Sequence, residues 1–233
     1  MKSLYIGLIC FLLVSACKSE NSKTVITPET TLKEIKIEPT IARKIANAHG
    51  FENWKNVKKV AFTLKVDRDK IKGSGRSWQW FPKKDSVVMM AGAQHIKFTR
   101  SNLDSVPPNA DRNFINDKFW AFVPFQLVWD ASATITTPKK AIAPISNDQL
   151  NMITILYPNQ GGYTPGDAYD IFYDNAFLIK EWTFRKANAT KPTLSTTFEN
   201  YKDYNGIKIA TDHKMKGGNW NLNFADVSIT LQK

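Results

Sequence analysis

The chain has 233 residues, 42% of them hydrophobic and 12% aromatic, with a formal net charge of +11. That apolar content is enough for a substantial core and excludes a disordered chain. The basic excess draws the protein toward anionic surfaces, but the lysines are scattered along the sequence, and nucleic-acid binding is not expected.

At the start, Lys2 precedes an uncharged apolar run from Leu4 to Val14, and Ser15, Ala16 and Cys17 follow. A run this short, ending in small residues, reads as a secretory signal rather than a membrane span. Val14-Ser15-Ala16-Cys17 also resembles the lipobox of bacterial lipoproteins. The resemblance implies cleavage before Cys17, acylation of Cys17, and a lipid anchor in the cell envelope, on the periplasmic side of a membrane or in the outer membrane. The second cysteine, Cys10, lies within the signal, so no disulfide is expected. Residues 18–39 are polar, rich in Thr, Lys, Glu and Ser, and show no sustained period, as in a flexible tether. The expected organisation is a signal at 1–16, a lipidated tether at 17–39 and a single domain at 40–233.

Pro39-Thr40 opens the first periodic segment. Ile41, Ile45 and Ala48 share a helical face, and Gly50 supplies the stop. The period then changes to two. Val60, Phe62, Leu64 and Val66 alternate with Ala61, Thr63 and Lys65, which predicts a half-buried strand. Trp78 and Trp80 continue the pattern. Further strands are predicted at 87–90, 96–99, 119–123, 152–157, 169–173, 178–184, 194–201, 207–211, 220–224 and 227–231. Between them fall turn signals such as Lys72-Gly73-Ser74-Gly75, Pro107-Pro108-Asn109, Pro165-Gly166-Asp167, Asn205-Gly206 and Gly217-Gly218-Asn219. Short strands joined by short turns predict a mainly β fold. The expected form is a single curved antiparallel sheet of about ten strands, an incomplete β-barrel, because a sheet that wide does not stay flat. One N-terminal helix would pack on its concave side.

A lipobox, a tether, a short helix and an antiparallel meander together resemble the outer-membrane lipoprotein carrier and receptor superfamily, with its LolA/LolB-like half-barrel. Three segments resemble lipoproteins of that superfamily more closely: Asn47-Ala48-His49-Gly50 through Trp54, Gly161 to Asp167 with Tyr169 to Asp174 behind it, and Tyr204-Asn205-Gly206-Ile207. The resemblance implies a concave apolar face that holds acyl chains. The family's lid helices and membrane-inserting loop have no motif-level counterpart here.

Trp78, Trp80, Met89, Phe98, Trp120, Phe122, Trp182 and Phe184 are the candidate ligand-binding residues, as strand side chains able to line an apolar cavity. The same residues would equally fill a core around the helix. The most apolar stretch, Phe119 to Phe125, fits either a membrane-touching loop or a buried strand ending at Pro124.

His49, His95 and His213 lie far apart and form no metal-binding pattern, so no metal or cofactor is expected. Asp170, Asp174, Glu181 and Glu199 could in principle supply a carboxylate pair, though balancing of the lysine excess explains them as well. No nucleophile elbow is present, and no cysteine remains to act as nucleophile. The reading is therefore a non-catalytic, monomeric envelope lipoprotein holding a lipid or lipoprotein acyl chains. An interaction lipoprotein with an envelope protein partner is the alternative, and a glycan- or lipid-acting hydrolase comes third.

Overall fold

A computed structural model describes residues 38–232. Cys17, the signal and most of the expected tether lie outside the described residues. α1 (Ile41–Ala48) starts at Thr40, whose hydroxyl accepts from the Arg43 amide at 3.3 Å. It buries Ala42, Ile45 and Ala46, with Ile41 half-buried beside them.

Thirteen strands follow: β1 (Val57–Arg68), β2 (Arg76–Phe81), β3 (Ser86–Ala91), β4 (Gln94–Thr99), β5 (Thr134–Ile135), β6 (Lys139–Ile142), β7 (Gln149–Leu156), β8 (Ala168–Tyr173), β9 (Ile179–Arg185), β10 (Leu194–Thr197), β11 (Glu199–Tyr204), β12 (Ile207–Lys214) and β13 (Trp220–Leu231). All pairings are antiparallel. The mainly β, incompletely closed architecture expected from the sequence is the one observed. The hydrogen-bonded ladder is divided, however, into two sheets rather than one. The first runs β11-β12-β13-β1-β2-β3-β4; the second runs β10-β9-β8-β7-β5, with β6 also on β7.

The division falls at Phe198, the single residue between β10 and β11. Its side chain is buried, and its amide donates to the Lys180 carbonyl of β9 at 2.7 Å. Turning there lets a wide, twisted sheet fold around a core instead of remaining flat. The predicted strands at 220–224 and 227–231 are one strand, bent by a bulge. Ala61 pairs with Ser228 but Thr63 with Ala225, and Asp226 takes φ +52°.

The larger correction concerns residues 119–123. They belong to a second helix, α2 (Pro108–Trp129), which joins β4 in one sheet to β5 in the other. Its first half is polar, with Asp111, Arg112, Asn116 and Asp117, while its second half from Phe119 is apolar nearly all round and shows neither a clean stripe nor a strand alternation. Pro124 lies inside it and bends it: Phe122 leaves helical geometry at φ −126° and ψ 24°. The proline ring crowds the Trp120 carbonyl four residues earlier and removes a donor.

Phe114, Phe122, Val123 and Phe125 of α2 are almost wholly enclosed. Contacts to both sheets explain why. Phe114 meets Trp78 of β2 at 5.4 Å between ring centroids, and Trp120 meets Trp182 of β9 at 4.3 Å. The main core is thus the space between the sheets, filled chiefly by α2 and not by the N-terminal helix alone. No described helix is long and apolar enough to cross a membrane.

Candidate functional site

Beside α2 a cleft of about 560 Å³ remains open. Arg112, Ile115 and Phe119 point along one face of the helix at spacings of three and four residues. Opposite them stand Tyr157, just beyond β7, and Tyr169 of β8. Phe119 lies 4.8 Å from the Tyr169 ring and 6.4 Å from Tyr157. Burial pushes both phenol groups well above the ordinary tyrosine range, so this wall stays neutral.

The outer wall is the turn from Pro158 to Thr164, where Gly161 and Gly162 take φ of +83° and +65°. Tyr163 fixes that turn to the helix: its hydroxyl donates to Asp111 Oδ2 at 2.8 Å, while Arg100 Nε donates to Oδ1 at 2.7 Å. The Asp111 bond holds the Tyr163 phenol protonated above its usual range. Arg112 lies 5.9 Å over the Tyr163 ring.

At the inner end sits Lys118, 9% exposed. Its ammonium lies 5.3 Å from the Trp129 ring and 5.8 Å from Trp80. Among the described residues no carboxylate lies within ion-pair distance of it. Burial, reinforced by Arg100, lowers its pKa to about 8. A second groove of about 370 Å³, walled by Trp54, Trp80, Pro82 and Trp129, also reaches Lys118, and the two openings share Gln126 and Asp130.

The eight side chains singled out from the sequence fall mostly elsewhere. Trp78, Met89, Phe98, Trp120, Phe122 and Trp182 are buried in the core. Phe184 stacks on Tyr169 at 5.1 Å and does not line the opening described above. Trp80 is the one of the eight that borders either cleft. Trp78 has a structural task as well: its indole donates to Asp117 Oδ2 at 2.8 Å, which also receives Arg76 in a bidentate pair at 3.0 and 2.8 Å.

Lys118, Arg100, Arg112 and Tyr163 were not anticipated. A usable signal existed for the first of them, since Lys118 is the one basic residue between Arg112 and Lys139.

The acids considered for hydrolysis are individually occupied. Asp170 binds Arg185 and Thr154, and Glu199 binds Lys214 at 2.6 Å. Glu181 receives the amides of Ile145 and Ser146, and Asp174 those of Ala176 and Leu178. His49 and His213 are both enclosed, and burial lowers the pKa of each to about 4. His49 ties α1 to β9, with Nδ1 2.8 Å from the Ile45 carbonyl and Nε2 3.5 Å from the Ile179 amide. His95 is exposed on β4.

Fold and site together define a mainly β, incompletely closed barrel with a cleft of aromatic walls and basic ends. Among solved structures, the chain is similar to a LolA superfamily protein from Nitrosomonas europaea, at 9% identity over 84% of this chain and 96% of that one, with a TM-score of 0.47. It is also similar to a DUF1329 family protein from Desulfovibrio piger, at 5% identity over 83% and 92% of the two chains, with a TM-score of 0.45. At those values the likeness is one of chain path, and no ligand or activity passes with it. No family model matches the chain, and no curated protein does.

Proposed function

We propose that the protein is an envelope lipoprotein that holds a hydrophobic ligand, a lipid or the acyl chains of a lipoprotein, by burial in the cleft beside α2 and without covalent chemistry. The supporting observation is the cleft itself. About 560 Å³ stays open against the aromatic wall of Phe119, Tyr157 and Tyr169, whereas an opening of similar volume between β9 and β11 is lined mainly by polar and charged residues such as Asp148, Asp174, Lys180 and Glu199. Each methylene buried there contributes about 0.8 kcal/mol. Acylated Cys17 would keep the domain at the membrane from which such a ligand comes.

Native mass spectrometry of the full chain, with organic extraction and lipid analysis, tests the reading. A lipid present near one per chain, and lost in Phe119→Ser, supports it. Cleft-wall substitutions are the informative ones, because charges at Trp120 or Trp182 would break the core. An empty protein that also takes up no fluorescent fatty acid overturns the reading and turns the search to protein partners.

A further inference from the structure

Burying an ammonium group is expensive unless a partner compensates it. Two indole faces attract Lys118, but that attraction offsets only part of its lost hydration. The neighbouring carboxylates are already engaged. Asp111 is held by Arg100 and Tyr163. Asp117 is held by Arg76, Trp78 and Asn116. Asp130 receives Gln126 Nε2 at 3.2 Å and both the amide and hydroxyl of Ser132.

Lys118 nevertheless lines both clefts, at the point where they share residues. Gln126 lines them too, and its buried Oε1 has no hydrogen-bond partner among the described residues. Two polar groups prepared for bonding, and left without it by the protein, thus occupy the inner end of an aromatic cleft.

We propose that Lys118 receives an anionic head group, so that the ligand of this cleft is an acidic amphiphile with its tail along Phe119, Tyr157 and Tyr169. Arg100 and Arg112 border the same cleft and draw the head inward by long-range attraction. An acidic head that keeps one proton can also donate to Gln126 Oε1. The proposal rests on the hydrophobic-ligand reading above and narrows it to a charge class. Carboxylate and phosphate heads alike accept from Lys118, and only the phosphate can keep a proton for Gln126 while still charged.

The test titrates the full chain, held in amphipol at pH 7 and low salt, with stearic acid, stearoyl lysophosphatidate and stearyl alcohol. Each probe is brominated on its tail, and quenching of tryptophan fluorescence reports contact. Either acid, or both, is expected to bind at least about tenfold more tightly than the alcohol, the lower end of what a charge-assisted hydrogen bond supplies. Tight binding of stearic acid alone identifies a carboxylate source, and of lysophosphatidate alone a phospholipid source.

Lys118→Met, which keeps an unbranched chain between the two indoles, is expected to abolish the preference, so that acids and alcohol bind with equal affinity. Equal binding of acid and alcohol by the unaltered protein overturns the inference yet leaves the hydrophobic-ligand reading standing. Retained preference in Lys118→Met overturns it in favour of the arginines. Absence of quenching by all three probes overturns both readings. If circular dichroism shows that Lys118→Met does not fold, the comparison of acids with alcohol on the unaltered protein decides the matter alone.

Discussion

Gly50 and Gly206 meet backbone to backbone where the end of α1 touches the turn between β11 and β12. Both have left-handed φ, +88° and +81°, and a Cβ on Gly50 would overlap the Gly206 carbonyl oxygen. Asn53 closes the contact by donating to that same oxygen at 2.9 Å, and the Lys208 amide donates to the His49 carbonyl at 3.0 Å. Gly50→Ala therefore combines a steric clash with backbone strain and is expected to lose about 3 kcal/mol. A lowered urea midpoint at unchanged m-value checks this; a shift of under about 1 kcal/mol would show that the junction yields.

Asp117 is wholly buried and joins α2 to β2 by accepting three hydrogen bonds, two from Arg76 and one from Trp78, with a fourth accepted from Asn116 of its own helix. Asp117→Ala leaves the Trp78 indole and the Arg76 guanidinium without an acceptor, and a loss of about 3 kcal/mol is expected. Arg76 retains some contact with water, which keeps the figure at the lower end for broken buried pairs. Denaturation of this variant beside Lys118→Met separates the structural ion pair from the neighbouring free ammonium. The first should fall far below the unaltered protein and the second should not.

Acid should destabilise the protein before its carboxylates titrate. His49 and His213 have folded pKa values of about 4 against 6.5 when unfolded. Between those limits the unfolded chain binds more protons than the folded one, so stability is full above about pH 6.5 and falls as the pH drops toward 4. The loss approaches about 3 kcal/mol per histidine. Phe198, Phe224 and Trp120 surround His213, and its Nε2 has no partner among the described residues. His213→Phe should consequently halve the slope of unfolding free energy against pH in this window. An unaltered slope would place the acid sensitivity elsewhere.

Tyr163 is partly exposed and holds the outer wall of the cleft through one hydrogen bond to Asp111. Tyr163→Phe should change stability by no more than about 1 kcal/mol. Release of a bound fluorescent fatty acid, followed by stopped flow, should nonetheless be faster, because the turn loses its latch. Equal release rates would mean that this wall does not gate the opening.

Cys17 provides a separate check on the membrane anchor. Incorporation of labelled palmitate in a bacterial host is expected for the full chain and should vanish in Cys17→Ser. Labelling that persists in the variant would count against the lipobox.

The sheets were legible in the sequence because alternation over Val60, Phe62 and Leu64 reflects one buried and one partly wet face. The bulge at Asp226 was not, since an extra residue breaks the period and makes one strand read as two. β5 and β6 are too short to establish a period at all. α2 stayed hidden for a different reason: its second half, enclosed between two sheets, needs no polar face, and Pro124 counts locally against a helix. The cleft followed it into obscurity, because its inner wall is that helix. Of the residues named from sequence as cavity-lining, six are buried in the core and Trp80 and Phe184 are half-buried, because which side chains border open space depends on packing across long sequence separations.

Pairing of β1 with β13 has a consequence for the order in which the molecule is built. Val60 lies against Ile229, and Arg68 against Trp220, in the middle of the first sheet. Its two halves, β1 to β4 and β11 to β13, therefore remain unjoined until β13 reaches β1. Folding that waits on so remote a contact is slow, since the loop must close before the contact rewards it.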